Sequence, residues 1–227
     1  MEHDNDAGLA AFEAAWRTWL EHSEWITVTY GVIGLTNFGE RPVQSLRLAE
    51  VLGRSVTEAE ALARQWGWPG TRVEDGLISV DPERTGPAAR RRAQVGDRAF
   101  GVTGCAGDVF LYTPLVRPSL RLEETCTTTG TPIRIVFTPS RVEHVEPAGA
   151  VVAMPPVQVL DRADEMTVWE VDANICARCP FYSAAEAAQG WLANFPGGRV
   201  FPVREAWDLS VIRQWRGRMS ALLNLDR

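Results

Sequence analysis

The sequence predicts an α+β protein in two parts: a winged-helix-like N-terminal helical module over residues 1–95, then an α+β domain with a mainly antiparallel sheet over residues 96–227. Three observations predict it. Helix, short turn, helix and a hairpin signal follow one another between residues 41 and 80. A series of β-rich runs parted by Thr-Gly and Pro-Ala-Gly turns follows residue 115, and two helical patterns close the chain.

The elements follow in chain order. Leu9, Phe12, Trp16, Trp19 and Leu20 recur at helical spacing and make residues 9–20 an amphipathic helix with an apolar stripe for the core. The next stretch, WITVTYGVIGL, is apolar and β-branched but broken by glycines, so it reads as a strand or an irregular segment. LRLAEVLG reads as a helix closed by Gly53, and Ser55-Val56-Thr57-Glu58 has the form of a capping box that starts a second helix. Asp75-Gly76 then turns a hairpin between Thr71 and Val80. This unit binds DNA or serves as a scaffold that packs on or covers a site. TEAEALARQW carries Glu58, Glu60 and Gln65 against the single Arg64, which suits a recognition helix poorly.

Pro87-Ala88-Ala89-Arg90-Arg91-Arg92 reads as a solvated linker or the start of a strand. RLEETC, TPIRIVFTP and AVVAMPPVQVL read as successive strands of a meander, with another strand from Met166 to Val171. SAAEAAQGWLANF and AWDLSVIRQWRGRMSALL are the two closing helical patterns.

Composition excludes several chemistries. The chain has 227 residues, 23 of them basic, and every basic residue is arginine, so a lysine Schiff base or a P-loop lysine is ruled out. The net charge of −6 argues against general nucleic-acid binding. The N-terminus lacks a basic region followed by an apolar run, and no stretch has the roughly 18 consecutive apolar residues of a membrane helix. The expectation is a soluble cytoplasmic protein with no membrane partner and reduced cysteines.

Those cysteines are Cys105, Cys126, Cys176 and Cys179. Cys176 and Cys179 form a CxxC, but no second close pair or neighbouring histidine completes a structural zinc site. His3, His22 and His144 lie far in sequence from every cysteine, and the GxSxG of a serine hydrolase is absent. In GVTGCAGD, Cys105 and Asp108 stand at i and i+3, on one face if a helix begins near Gly104. Thiolates are soft-metal ligands, and a nearby carboxyl can carry a proton. The pairing suits chemistry on a metal held by sulfur.

Cys105-Ala106-Gly107-Asp108, Cys126-Thr127-Thr128-Thr129-Gly130-Thr131-Pro132, Val145-Glu146-Pro147-Ala148-Gly149 and Cys176 ahead of Phe181-Tyr182 and Trp191 follow in this order. Together they resemble the bacterial organomercurial (alkylmercury) lyases, over residues 96–227 and more weakly over residues 41–80. The resemblance implies protonolysis of a carbon–mercury bond, with Cys105, Cys176 and Asp108 as the catalytic residues. One thiol binds mercury while Asp108 takes its proton, the second thiol adds, and the acid returns a proton to carbon. Cys105, Cys176, Asp108 and Cys179 form the implied metal-ligand set, and Cys126 is implied to be a buried structural thiol. No organic cofactor is implied. Hg(II) remains as bound product, external thiols remove it, and a mercuric reductase is the implied recipient.

The sequence departs from the family at three positions. Gly104 and Gly107 stand where the family has larger residues, so a wider or differently shaped pocket is expected. Ala177 replaces a cysteine that often sits beside the late catalytic one, which leaves Cys179 either as its substitute or as a packed thiol. Two alternatives accompany the lyase reading: a relative acting on another organometal or on a biosynthetic substrate, and a non-catalytic soft-metal-binding or sensing winged-helix protein.

Overall fold

The computed structural model describes residues 2–81, 91–102, 104–159, 165–167, 170, 173 and 176–224. The chain opens with α1 (Glu2–His22), whose Phe12, Trp16 and Leu20 are buried. The stretch expected to be a strand or irregular is instead a helix, α2 (Glu24–Thr36), and every residue from Trp25 to Thr36 is buried. A helix apolar on all sides belongs in a core, and complete burial overrides the β preference of its Ile, Val and Thr residues. Its end is set by Asn37, whose backbone turns left-handed at φ 48°.

Next come β1 (Val43–Gln44), α3 (Ser45–Leu52) and α4 (Val56–Trp66). Gly53 ends α3 at φ 63°, a conformation glycine adopts without penalty. The expected capping box starts α4, with the Ser55 hydroxyl accepting from the Glu58 N–H and the Glu58 carboxylate accepting from the Ser55 N–H. The ribbon β2 (Thr71–Glu74) and β3 (Leu77–Val80) turns at Asp75 and Gly76, both at positive φ. The small antiparallel sheet runs β1-β3-β2.

The larger sheet has the order β5-β4-β6-β7-β8 and is antiparallel throughout. Its strands are β4 (Arg91–Val95), β5 (Arg98–Val102), β6 (Leu120–Thr125), β7 (Pro132–Phe137) and β8 (Val142–Glu146). Strict alternation on β6, with Leu120, Leu122 and Glu124 inward, leaves one face for the core. The expected boundary at 95/96 falls in the turn between β4 and β5, and β4 pairs with both β5 and β6. Of the basic cluster, Arg91 and Arg92 begin β4, and residues 87–90 lie outside the described residues.

The expected meander is corrected at its third strand. The place beside β7 belongs to β8, whose VEHVE has too few apolar residues to stand out, while β9 (Val151–Met154) leaves for another sheet. There β9 lies between β10 (Phe181–Tyr182) and β11 (Arg199–Pro202) with all four residues buried. Of the strand expected from Met166 to Val171, Met166, Thr167 and Glu170 form no strand, and residues 168, 169 and 171 lie outside the described residues.

The remaining helices are α5 (Asp108–Tyr112), α6 (Gln189–Asn194), α7 (Val203–Asp208) and α8 (Ser210–Leu223). The last two divide at Leu209, whose extended backbone breaks the closing helical pattern. Buried residues from both ends of the chain join in one hydrophobic core. Glu13 on α1 accepts from the Ser210 N–H at 2.6 Å, and Trp215 on α8 donates to the Leu111 carbonyl at 3.2 Å. No helix among the described residues is long and apolar enough to cross a membrane.

Candidate active site

Cys105 lies between β5 and α5, in a turn closed by the Asp108 N–H donating to the Cys105 carbonyl at 3.1 Å. The helix begins at Asp108 itself and not near Gly104, so the turn supplies the i,i+3 approach of thiol and carboxyl. Asp108 Oδ2 accepts from the Cys105 N–H at 2.7 Å, and Oδ1 accepts from Cys105 Sγ at 3.0 Å.

The second thiol arrives from the far side of the sequence. Cys176 opens the 3-10 turn Cys176–Arg178, and its Sγ donates to Asp108 Oδ2 at 3.6 Å. The two cysteine segments are tied directly, because the Ala106 N–H donates to the Cys179 carbonyl at 2.7 Å. One atom from each of Cys105, Asp108 and Cys176 lies within 4.8 Å of the others, and all three residues are buried. Two soft sulfurs and one oxygen at this spacing can take a soft, low-coordinate metal ion. Cys179 stands outside that triad as a fully buried thiol.

Burial shifts the proton affinities of the site upward. Burial is the largest influence on Asp108 and pushes its carboxyl up. The opposing hydrogen bonds from Cys105 and Tyr30 and the charge of Arg91 do not cancel it. For Cys105 the largest influence is the hydrogen bond from Cys176, which favours the thiolate. Burial and the neighbouring Asp108 charge outweigh it and raise the thiol. Tyr30 is pushed well above the ordinary phenol range by burial and then by the charges of Asp108, Cys105 and Cys176, so it stays a hydrogen-bond donor. Cys179 is raised chiefly by burial and then by Cys105 and Asp108.

Gly104 does not widen the pocket. Its φ is +97°, and a Cβ there would stand 2.7 Å from Asp108 Oδ2 and 3.4 Å from the Trp68 ring. The space is taken by the carboxylate that folds back onto Cys105 and by an aromatic ring from another element. At Gly107 a Cβ would meet Met154 at 3.7 Å and Cys105 Sγ at 3.9 Å, ordinary contacts. The expected enlargement is therefore not found at Gly104, while Gly107 leaves room for a methyl group in ordinary contact.

Cys126 lies elsewhere, in the turn after β6, with its N–H donating to the Thr131 carbonyl. Burial raises its thiol, but the donors of Thr129 and Ser183 prevail and bring it down to about 7.

Sequence reasoning missed Tyr30, Trp68, Tyr112 and Arg91. Tyr112 stands at i+4 from Asp108 on α5, so helical periodicity could have placed it near the site. Tyr30 is hidden in the misread α2, and Trp68 follows α4. The rings of Trp68 and Tyr112 stand 5.5 Å apart, edge to face, and that of Tyr30 lies 6.4 Å from Tyr112. Tyr30 and Trp68, from the N-terminal part of the chain, thus stand beside the thiol site with Tyr112.

The family model described as alkylmercury lyase matches residues 90–215, more than half of the chain. The alkylmercury lyase of Bacillus cereus is 33% identical over 105 residues, 46% of this chain, and the chain spans less than half of that relative's length, 44%. The alkylmercury lyase of Streptomyces lividans is 28% identical over 171 residues, 74% of each chain. The crystal structure of the mercury-bound form of MerB2 aligns with a TM-score of 0.57 at 15% identity, covering 93% of this chain and 98% of that one, a likeness of fold.

Proposed function

The chain belongs to the alkylmercury lyase family, and from that premise we propose that it cleaves carbon–mercury bonds by protonolysis at Cys105, Cys176 and Asp108. The observation that carries the reading is the carboxyl of Asp108 hydrogen-bonded to both thiols inside a buried site. A site that merely stored a soft ion would gain nothing from a buried acid, whose desolvation is unfavourable.

Cys105 binds mercury of R–Hg–X and gives its proton to Asp108, 3.0 Å away. Cys176 then adds to the metal and X leaves with a proton. Two thiolates place electron density on mercury and make the attached carbon more basic. Asp108, whose hold on a proton is strengthened by burial, returns the proton it took from Cys105 to that carbon. The balance is R–Hg–X plus two thiols giving R–H, H–X and Hg(II) on two sulfurs. The aromatic wall of Tyr30, Trp68 and Tyr112 limits water around the developing charge. Excess small thiols exchange with the bound Hg(II), and a mercuric reductase is the chemically suited recipient.

The test is incubation with methylmercury or phenylmercury and excess thiol, with methane or benzene measured by gas chromatography. Wild type releases hydrocarbon, and Cys105→Ser and Cys176→Ser do not. Asp108→Asn retains mercury but loses roughly 10²–10⁴-fold in hydrocarbon formation, the range of a general acid. Absence of hydrocarbon from folded, reduced wild type rejects the proposal.

A further inference from the structure

The two thiol-bearing segments are joined by more than the Ala106–Cys179 hydrogen bond. Arg91, the first residue of β4, faces inward and stands directly opposite Glu124 on β6. Its Nε donates to Glu124 Oε2 at 2.5 Å in an ion pair whose side chains are 4% and 0% exposed. The rest of the fork points at the site. Nη1 donates to the Gly104 carbonyl at 2.6 Å, next to Cys105, and Nη2 to the Cys179 carbonyl at 3.4 Å, three residues beyond Cys176. The guanidinium also sits over the Phe181 ring, 5.7 Å from its centroid.

We propose that Arg91 is a positioning residue whose guanidinium, anchored by Glu124, clips the Cys105 and Cys176 segments together so that both thiols can close on one metal atom. The proposal rests on the reading of these thiols as a metal-bridging pair. A guanidinium has five donors in a rigid plane and can address three acceptors from one anchor. Each of the two carbonyls belongs to a turn, and the turns come from parts of the chain some 70 residues apart, so long-range contacts, the Ala106–Cys179 hydrogen bond and the Arg91 fork, hold them in register. Arg91 touches no reacting atom. The Glu124 pairing makes the clip rigid and removes the penalty of an isolated buried charge, while the other carboxylate oxygen of Glu124 is buried with no hydrogen-bond partner among the described residues.

Purely structural and positioning roles are separated by two substitutions. Arg91→Lys retains charge and can still pair with Glu124, but a single ammonium cannot span both carbonyls. Arg91→Met with Glu124→Met removes the buried pair without leaving an unpaired charge, an exchange that is often neutral for stability. Arg92→Met, on the exposed face of the same strand, is the control.

Thiol juxtaposition is read with phenylarsine oxide, which condenses with two thiols to a bridged dithioarsenite with loss of water, and the Cys105–Cys176 bridge is identified by mass spectrometry. Wild type and Arg92→Met form the bridge. Arg91→Lys and the double variant, folded by circular dichroism, lose at least about tenfold in bridge affinity. In hydrocarbon release they lose about 10–100-fold in kcat with little change in KM, the scale expected for misplacement by about 1 Å. A folded double variant that bridges arsenic and turns over as wild type does would overturn the assignment. Failure of both substituted proteins to fold would also overturn it, by making Arg91 a folding residue. If wild type bridges arsenic but releases no hydrocarbon, the lyase reading falls, and the arsenic result alone decides the role of Arg91.

Discussion

Asp108 and the glycines around it show how much chemistry depends on single positions. At Gly104, two independent constraints exclude a side chain: φ of +97° and the Asp108 oxygen at 2.7 Å from any Cβ. Gly104→Ala is therefore expected to lower stability by about 1–3 kcal/mol, the usual cost of such backbone strain, and to push the carboxylate off the Cys105 N–H. Gly107 has an ordinary helical backbone and open contacts, so Gly107→Ala should raise stability by about 0.4–1 kcal/mol through the unfolded chain. Thermal unfolding of the two variants checks both signs; equal behaviour would show that the turn relaxes around the methyl group. Asp108 itself gives a pH signature. Burial raises its carboxyl above the ordinary 3.8, so the folded state binds a proton that the unfolded state releases. The stability this contributes is fully present below about pH 3.8 and is lost as pH rises through the raised folded value. Above that point wild type carries a buried charge, which Asp108→Asn removes. The melting temperature of Asp108→Asn relative to wild type should rise between acid and neutral pH; a constant difference would show that the carboxyl is not perturbed.

At the scale of elements, legibility followed the reach of the signal. The capping box of α4, the Gly53 stop of α3 and the Asp75-Gly76 turn are local chemistries, and each forms where the sequence indicated. The Cys105–Asp108 spacing was legible for the same reason, although a turn and not a helix brings the two together. WITVTYGVIGL failed because periodicity vanishes when all sides of a helix are buried, leaving only β-branched composition to read. β8 failed in the opposite way: Val142 is buried but Glu143, His144 and Glu146 are exposed, so the strand presents hardly any apolar pattern. Arg91 read as part of a solvated linker or the start of a strand, and it does start β4, but its partner Glu124 is far along the chain and only strand register sets them opposite each other. Its contribution to the site could not be read before the sheet was known. Tyr30 and Trp68 reach the site from elements before the larger sheet begins, by packing that leaves no mark on sequence spacing.

At the scale of the molecule, a site drawn from residues near 30, 68, 91, 105 and 176 exists only when the core is complete, and the core joins both ends of the chain. Glu13 caps the start of α8 and Trp215 reaches back to α5, so the terminal helices brace the helix that begins at Asp108. Metal capture by both thiols should therefore act back on global stability. Hg(II) held by Cys105 and Cys176 would cross-link positions roughly 70 residues apart, and closing such a loop restricts the unfolded chain by about 4 kcal/mol in the chain-entropy treatment. For a chain of this size 1 kcal/mol corresponds to roughly 2–4 °C, so stoichiometric HgCl2 should raise the melting temperature by about 8–16 °C. Cys126 and Cys179 offer other thiols in the unfolded chain, and binding there reduces the effect. Calorimetry on wild type, Cys176→Ser and Cys179→Ser distinguishes the possibilities. The rise should disappear in Cys176→Ser and persist in Cys179→Ser, whose thiol lies outside the close triad. A mercury-induced shift in wild type no larger than that in Cys176→Ser would mean that one sulfur holds the metal, and the two-thiol reading of this site would fail with it.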